Sequence, residues 1–102
     1  MSPELARCHL LAEVLSADGM MNDDERALLE DALTRAALDD TERDLVRHFE
    51  GAAVAADVLR AQPEAERQAL IDQLVEAALA DGKLTPNETA AVKRIAQALG
   101  LS

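Results

Sequence analysis

The chain has 102 residues and a mass of 10.9 kDa, the size of one domain, expected to span residues 1–102. Its 49% apolar content is enough for a core and excludes a disordered chain. Twenty Asp and Glu against ten Lys and Arg set the net charge at −10, and Phe49 is the only aromatic residue; a surface of that sign repels phosphate backbones, and bases find no stacking platform, so no nucleic-acid partner is expected.

The longest apolar run, Ala52 to Ala56, is five residues and too short to enter a membrane as a span. No charged-then-apolar leader is visible, and the single cysteine, Cys8, has no internal partner. The expected address is the cytoplasm. Twenty-one Ala and 16 Leu against eight Val plus Ile favour helix and leave too few β-branched residues for a sheet.

In chain order, Ser2-Pro3 opens a first helix as N-cap and first helical residue, and Cys8, Leu11, Val14 and Leu15 share one face. Gly19 is expected to end it in a left-handed cap. Asn22 to Glu25 reads as a capping box before a second helix whose face carries Leu28, Leu29, Ala32, Leu33 and Ala36. Asp39-Asp40 caps a third helix through Leu45, Val46 and Phe49, which Gly51 interrupts. A short Ala-rich helix follows to about Leu59. Gln62-Pro63 starts a long helix through Leu70, Leu74 and Ala78 that Gly82 closes. Thr85-Pro86-Asn87-Glu88 is a second capping box, and the last helix carries Val92, Ile95 and Leu99 up to Gly100. The fold class expected is all-α, a compact bundle of five or six helices.

Two segments repeat at an offset of 63 residues. Leu11, Glu13, Ala17-Asp18-Gly19 and Glu25 match Leu74, Glu76, Ala80-Asp81-Gly82 and Glu88, and Leu38 matches Leu101. Each copy reads as a helix, an acidic turn and another helix. One such hairpin cannot bury its apolar face alone, so the two are expected to pack together about a pseudo-two-fold. The charge is uneven: residues 1–40 carry −7, residues 41–82 carry −5 and residues 83–102 carry +2.

Asp18 and Asp81 continue the apolar stripes of their helices, where an unpaired carboxylate is costly. Two solutions satisfy them. In the first, Asp18 and Asp81 accept backbone N–H groups in their turns while Glu25 and Glu88 close the capping boxes. In the second, Asp18, Glu25, Asp81 and Glu88 hold a divalent cation, Ca²⁺, Mg²⁺ or Zn²⁺. Asp-Gly with a Glu seven residues after the Asp is the back half of an EF-hand loop, with Met21 and Leu84 at its apolar position. The front half is missing: Val14 and Ser16, and Ala77 and Leu79, stand where the first acidic ligands belong. A complete calcium loop is therefore excluded, and any cation would be held weakly.

Ala17-Asp18-Gly19 with Glu25, then Ala80-Asp81-Gly82 with Glu88 and the ending Ala98-Leu99-Gly100-Leu101, resemble the TerB-like domain of bacterial tellurite-resistance proteins. The resemblance runs from about Leu10 to Leu101. It implies an all-helical pseudo-two-fold fold and a cytoplasmic protein linked to tellurite resistance and stress responses, with metal suspected at Asp18, Glu25, Asp81 and Glu88. TerB-like domains also occur attached to J-domain co-chaperones, but the His-Pro-Asp tripeptide of a J-domain is missing here.

No phosphate loop, Gly-x-Ser-x-Gly, zinc-protease motif or Glu-x-x-His pair occurs, so no enzymatic activity is expected. Cys8 reads as a small core residue, and His9 as a surface residue that could pair with Glu13 one turn on. Tellurite is an oxyanion that a charge of −10 repels, so the expected action is indirect. It runs through the cation or, as the alternative, through a protein partner of basic character docked on the acidic face. The smooth Ala-rich stretch from Ala52 to Ala61 leaves homodimerisation open.

Overall fold

Six helices follow one another in the computed structural model, which describes residues 1–17, 19, 21–48, 51–79 and 85–101 (Ala52 by its backbone alone). They are α1 (Pro3–Leu15), α2 (Asp23–Arg35), α3 (Asp40–Arg47), α4 (Ala52–Arg60), α5 (Glu64–Ala78) and α6 (Pro86–Ala98). No strand occurs among the described residues, and no helix among them is long and apolar enough to cross a membrane.

Helix starts follow local chemistry. Ser2 accepts the Leu5 N–H through Oγ at 3.2 Å, with Pro3 at the first helical position. Acids fill the first turns of α2, α3 and α6, where the macrodipole favours them. Two helices end in Schellman motifs. After α2, Leu38 N–H donates to Leu33 O and Ala37 N–H to Thr34 O; after α6, Leu101 N–H donates to Ala96 O and Gly100 N–H to Gln97 O. The residue in the left-handed position is Gly100 at φ +77° in the second case and Ala37 at φ +55° in the first.

α1 organises the packing. Its residues Ala6, Leu10 and Val14 join Ala55 and Leu59 of α4, Leu70 and Leu74 of α5 and Val92 and Ile95 of α6 in one core. Its residues Leu5, Cys8, Ala12 and Leu15 join Leu29 and Leu33 of α2, Val46 of α3 and Leu38 in another. A helix walled on both sides has no solvent face to spare, and eight of its thirteen residues are buried. The extents of 33 × 32 × 19 Å describe a slab, and its thickness is about two helix diameters. The two expected hairpins are present as α1–α2 and α5–α6, and α1 also lies against α5. Their roles differ, because α1 serves both cores and α5 one.

The Arg67 guanidinium ties α5 to the end of α6. Its Nη1 donates to Leu99 O, one of the carbonyls a helix C-terminus leaves without an intrahelical donor. A Cβ at Gly100 would stand 3.3 Å from that Nη1, so the glycine serves both the backbone turn and the side chain beside it.

Candidate functional site

Of the four acids the sequence singles out, Glu25 and Glu88 are described, whereas Asp18 and Asp81 lie outside the described residues. α1 stops at Leu15, capped by Ser16 N–H on Ala12 O at 3.0 Å, so the expectation that it runs on to Gly19 is corrected. Ser16 Oγ donates to Glu13 O at 3.3 Å, a bond from a side chain to the preceding turn that offers the backbone carbonyl an alternative partner at the helix end. Gly19 sits beyond the helix at φ +107°.

Glu25 closes the box at the start of α2. The Glu25 N–H donates to Asn22 Oδ1 at 2.8 Å, and the Asn22 N–H donates to Glu25 Oε1 at 3.0 Å. Glu88 repeats the arrangement at α6, where its N–H donates to Thr85 Oγ1 at 3.1 Å and the Thr85 N–H donates to Glu88 Oε1 at 3.2 Å. The burial differs: Glu25 is half-buried and Glu88 is 3% exposed. A carboxylate that deep is tolerable because it faces a helix N-terminus and accepts a backbone N–H there.

A third box of the same geometry stands outside the repeat. At α3 the Glu42 N–H donates to Asp39 Oδ1 at 2.8 Å, and the Asp39 N–H donates to Glu42 Oε1 at 3.1 Å. Asp39 is expected as a cap from the sequence; Glu42, for which no role is expected, completes the Asp-x-x-Glu signal. With it, three of the six helices start on a capping box closed by Glu at the third helical position, one of them outside the repeat. Among the described residues, no three of His, Cys, Asp and Glu gather in a group that could hold a metal. Glu25 and Glu88 on their own are short of a ligand set.

Beside the first acidic turn lies a hollow of about 350 Å³, walled by Gly19, Met21 and Leu29 and rimmed by Arg26, Glu30 and Arg47. Arg47 Nε donates to Glu30 Oε2 at 3.0 Å, which links α3 to α2, and its Nη1 lies 3.5 Å from Asp44 Oδ1 within α3. The hydrogen-bonded Arg47 guanidinium holds the Glu30 carboxyl below the usual carboxylate range. Two guanidiniums against one carboxylate make this rim unfavourable for a cation.

Cys8 and His9 are both buried, at 4% and 2% exposure. The Cys8 thiol donates weakly to Ala32 O at 3.9 Å, and burial pushes its pKa up, which keeps it a thiol rather than a nucleophilic thiolate. His9 departs from the surface role expected of it. Its Nε2 has no hydrogen-bond partner, and burial pushes its pKa down.

In comparison with known proteins, the family model described as Tellurite resistance protein TerB matches residues 4–102. No curated protein and no solved structure gives a match.

Proposed function

The chain belongs to the TerB family over nearly its full length, and on that premise we propose that it serves tellurite resistance as a non-enzymatic binding domain that docks a basic protein partner. The observation that carries this reading is the state of the acids on α2 and α3. Asp23, Asp24, Asp39 and Asp40 are all exposed, and none of them enters an ion pair with a described residue. Exposed charges of one sign raise the encounter rate with an oppositely charged surface and reject partners of like charge. The same field repels tellurite, so the domain acts on the oxyanion's consequences and not by holding it.

The test is capture of partners from cell extract by the purified chain, repeated as the salt concentration is raised. Capture falls steeply with salt, because exposed charges are screened beyond about 10 Å at 0.1 M ionic strength. It is also lost when Asp23, Asp24, Asp39 and Asp40 are all changed to Asn. Capture indifferent to both changes refutes the reading.

One observation favours a second reading, a divalent cation held with the help of Asp18, Glu25, Asp81 and Glu88. In both boxes the cap bond engages Oε1 and leaves Oε2 outside it, at positions 63 residues apart. Melting the protein in EDTA and then with Ca²⁺, Mg²⁺ or Zn²⁺ separates the two readings. A cation at 100 times its Kd adds about 2.7 kcal/mol, and Asp18→Asn with Asp81→Asn removes the gain. Melting that ignores all three metals leaves the docking reading alone.

A further inference from the structure

α4 meets α1 through an imidazole. Gly51 is the N-cap residue of α4, at φ +136°. A Cβ placed there would stand 3.1 Å from His9 Cε1, 3.2 Å from His9 Nε2 and 3.3 Å from the Met1 methyl. The edge of the His9 ring therefore looks directly onto the start of α4, so close that a Cβ there would push the ring back by a few tenths of an ångström. That start has no side-chain cap, so its first amides present the partly positive end of the helix. The ring is 98% covered (2% exposed), and its Nε2 is without a partner.

We propose that His9 is a proton-operated latch: protonation of its imidazole unseats α4 from α1 and opens the seam that Ala6, Leu10, Ala55 and Leu59 now close. A neutral ring tolerates this place because it brings no charge to it. An imidazolium would carry an N–H without an acceptor, in dry packing, against a helix end of its own sign. Among the described residues no carboxylate forms an ion pair or hydrogen bond with the ring, and His48 and Met1, described groups near Gly51 in the chain and in space, bring no negative charge. Glu13, one turn along α1, makes no hydrogen bond or ion pair to the ring; Asp57 and Arg60 of α4 pair with each other, as do Asp44 and Arg47 of α3; Arg7 of α1 pairs with Glu66 of α5. Arg35 and Asp31 pair on α2, and α6 carries the cations Lys93 and Arg94, neither of which can accept the proton's hydrogen bond.

The direction of the pH effect follows. Burial lowers the folded-state pKa of His9, so stability tied to it is intact above the unfolded value and is lost as pH falls below it. With a free imidazole near 6.5 and a lowered pKa in the latched ring, the opened form gains between pH 8 and pH 5, by at most about 30-fold, the limit for a ring that stays neutral throughout. Ordinary carboxylates titrate below that window.

The experiment is amide hydrogen exchange by NMR on the full chain across this pH range, corrected for intrinsic exchange rates. The expected result is a loss of protection in α4 that exceeds that in α2 and α6, by up to about 30-fold, with the His9 Cε1–H resonance in the folded protein titrating below a free imidazole. His9→Gln, which cannot take up the proton, removes the difference. A loss shared equally by all helices, no loss in α4, or an equal α4 loss in His9→Gln overturns the latch. Should His9→Gln fail to fold, the contrast between helices in the unaltered chain decides alone.

Discussion

Ala37 is the one described residue other than glycine held at positive φ, +55°. It occupies the left-handed position of the Schellman motif that ends α2, with its N–H on Thr34 O at 3.1 Å and the Leu38 N–H on Leu33 O at 3.4 Å. An L-residue with a Cβ costs about 1–2 kcal/mol in this conformation. Ala37→Gly removes that cost but gives the unfolded chain more freedom, worth about 0.4–1 kcal/mol in the opposite direction. The net expectation is a gain of about 0.5–1 kcal/mol. For a domain near 100 residues each kcal/mol moves Tm by about 4–8 °C, so the melting point should rise by about 2–8 °C. Ala37 is exposed, so no packing loss offsets the gain. Thermal and urea unfolding followed by far-ultraviolet circular dichroism measure it, with an unchanged m-value as the sign that the unfolded state is not altered in compactness. A Tm that stays put or falls refutes the reasoning, and with it the claim that this turn is strained.

The mirror experiment is Gly100→Ala. It imposes the same left-handed penalty, about 1–2 kcal/mol, and places a methyl 3.3 Å from Arg67 Nη1; a loss below about 0.5 kcal/mol in urea unfolding would show the turn relaxing to another conformation. Thr85→Ala deletes the acceptor of the Glu88 N–H and should cost about 1 kcal/mol. Asn22→Ala should cost a similar amount at α2, and chelator-independent losses at both sites would mark these boxes as caps in their own right.

The helix starts were legible in the sequence because their signals are local. Ser2-Pro3, Asn22 with Glu25 and Thr85-Pro86 with Glu88 carry both the cap and its partner within four residues, and all appear as expected. The end of α1 was not legible. Gly19 is a strong stop signal, but the helix ends first at Ser16, whose hydroxyl bonds Glu13 O, and residue type alone does not announce it. The left-handed Ala37 is hidden in a similar way, because a search for glycine skips it; the 63-residue offset that pairs it with Gly100 was the available clue. His9 was misplaced for another reason. A stripe through Cys8, Leu11, Val14 and Leu15 assigns α1 a single buried face, and the apolar residues at 5, 6, 8, 10, 11, 12, 14 and 15 leave an arc of about 100° that His9 shares with Glu13. Residue type therefore sends His9 outward, and it is the start of α4 at Gly51, packed against the ring, that buries it. The candidate site was legible only in its glutamates, whose partners are their own helix starts.

The two-sided burial of α1 also bears on how the protein is made. Every helix that covers α1 follows it in the chain, so a growing polypeptide displays Leu5, Leu10, Val14 and Leu15 for as long as it takes to synthesise the covering segments. The wall on one side arrives with α2 and α3; the other is incomplete until α6 and Leu99 have left the ribosome. Truncated translation products therefore carry bare oily surface, and the cell must either shield that helix during synthesis or clear the fragments that never acquire their last turns.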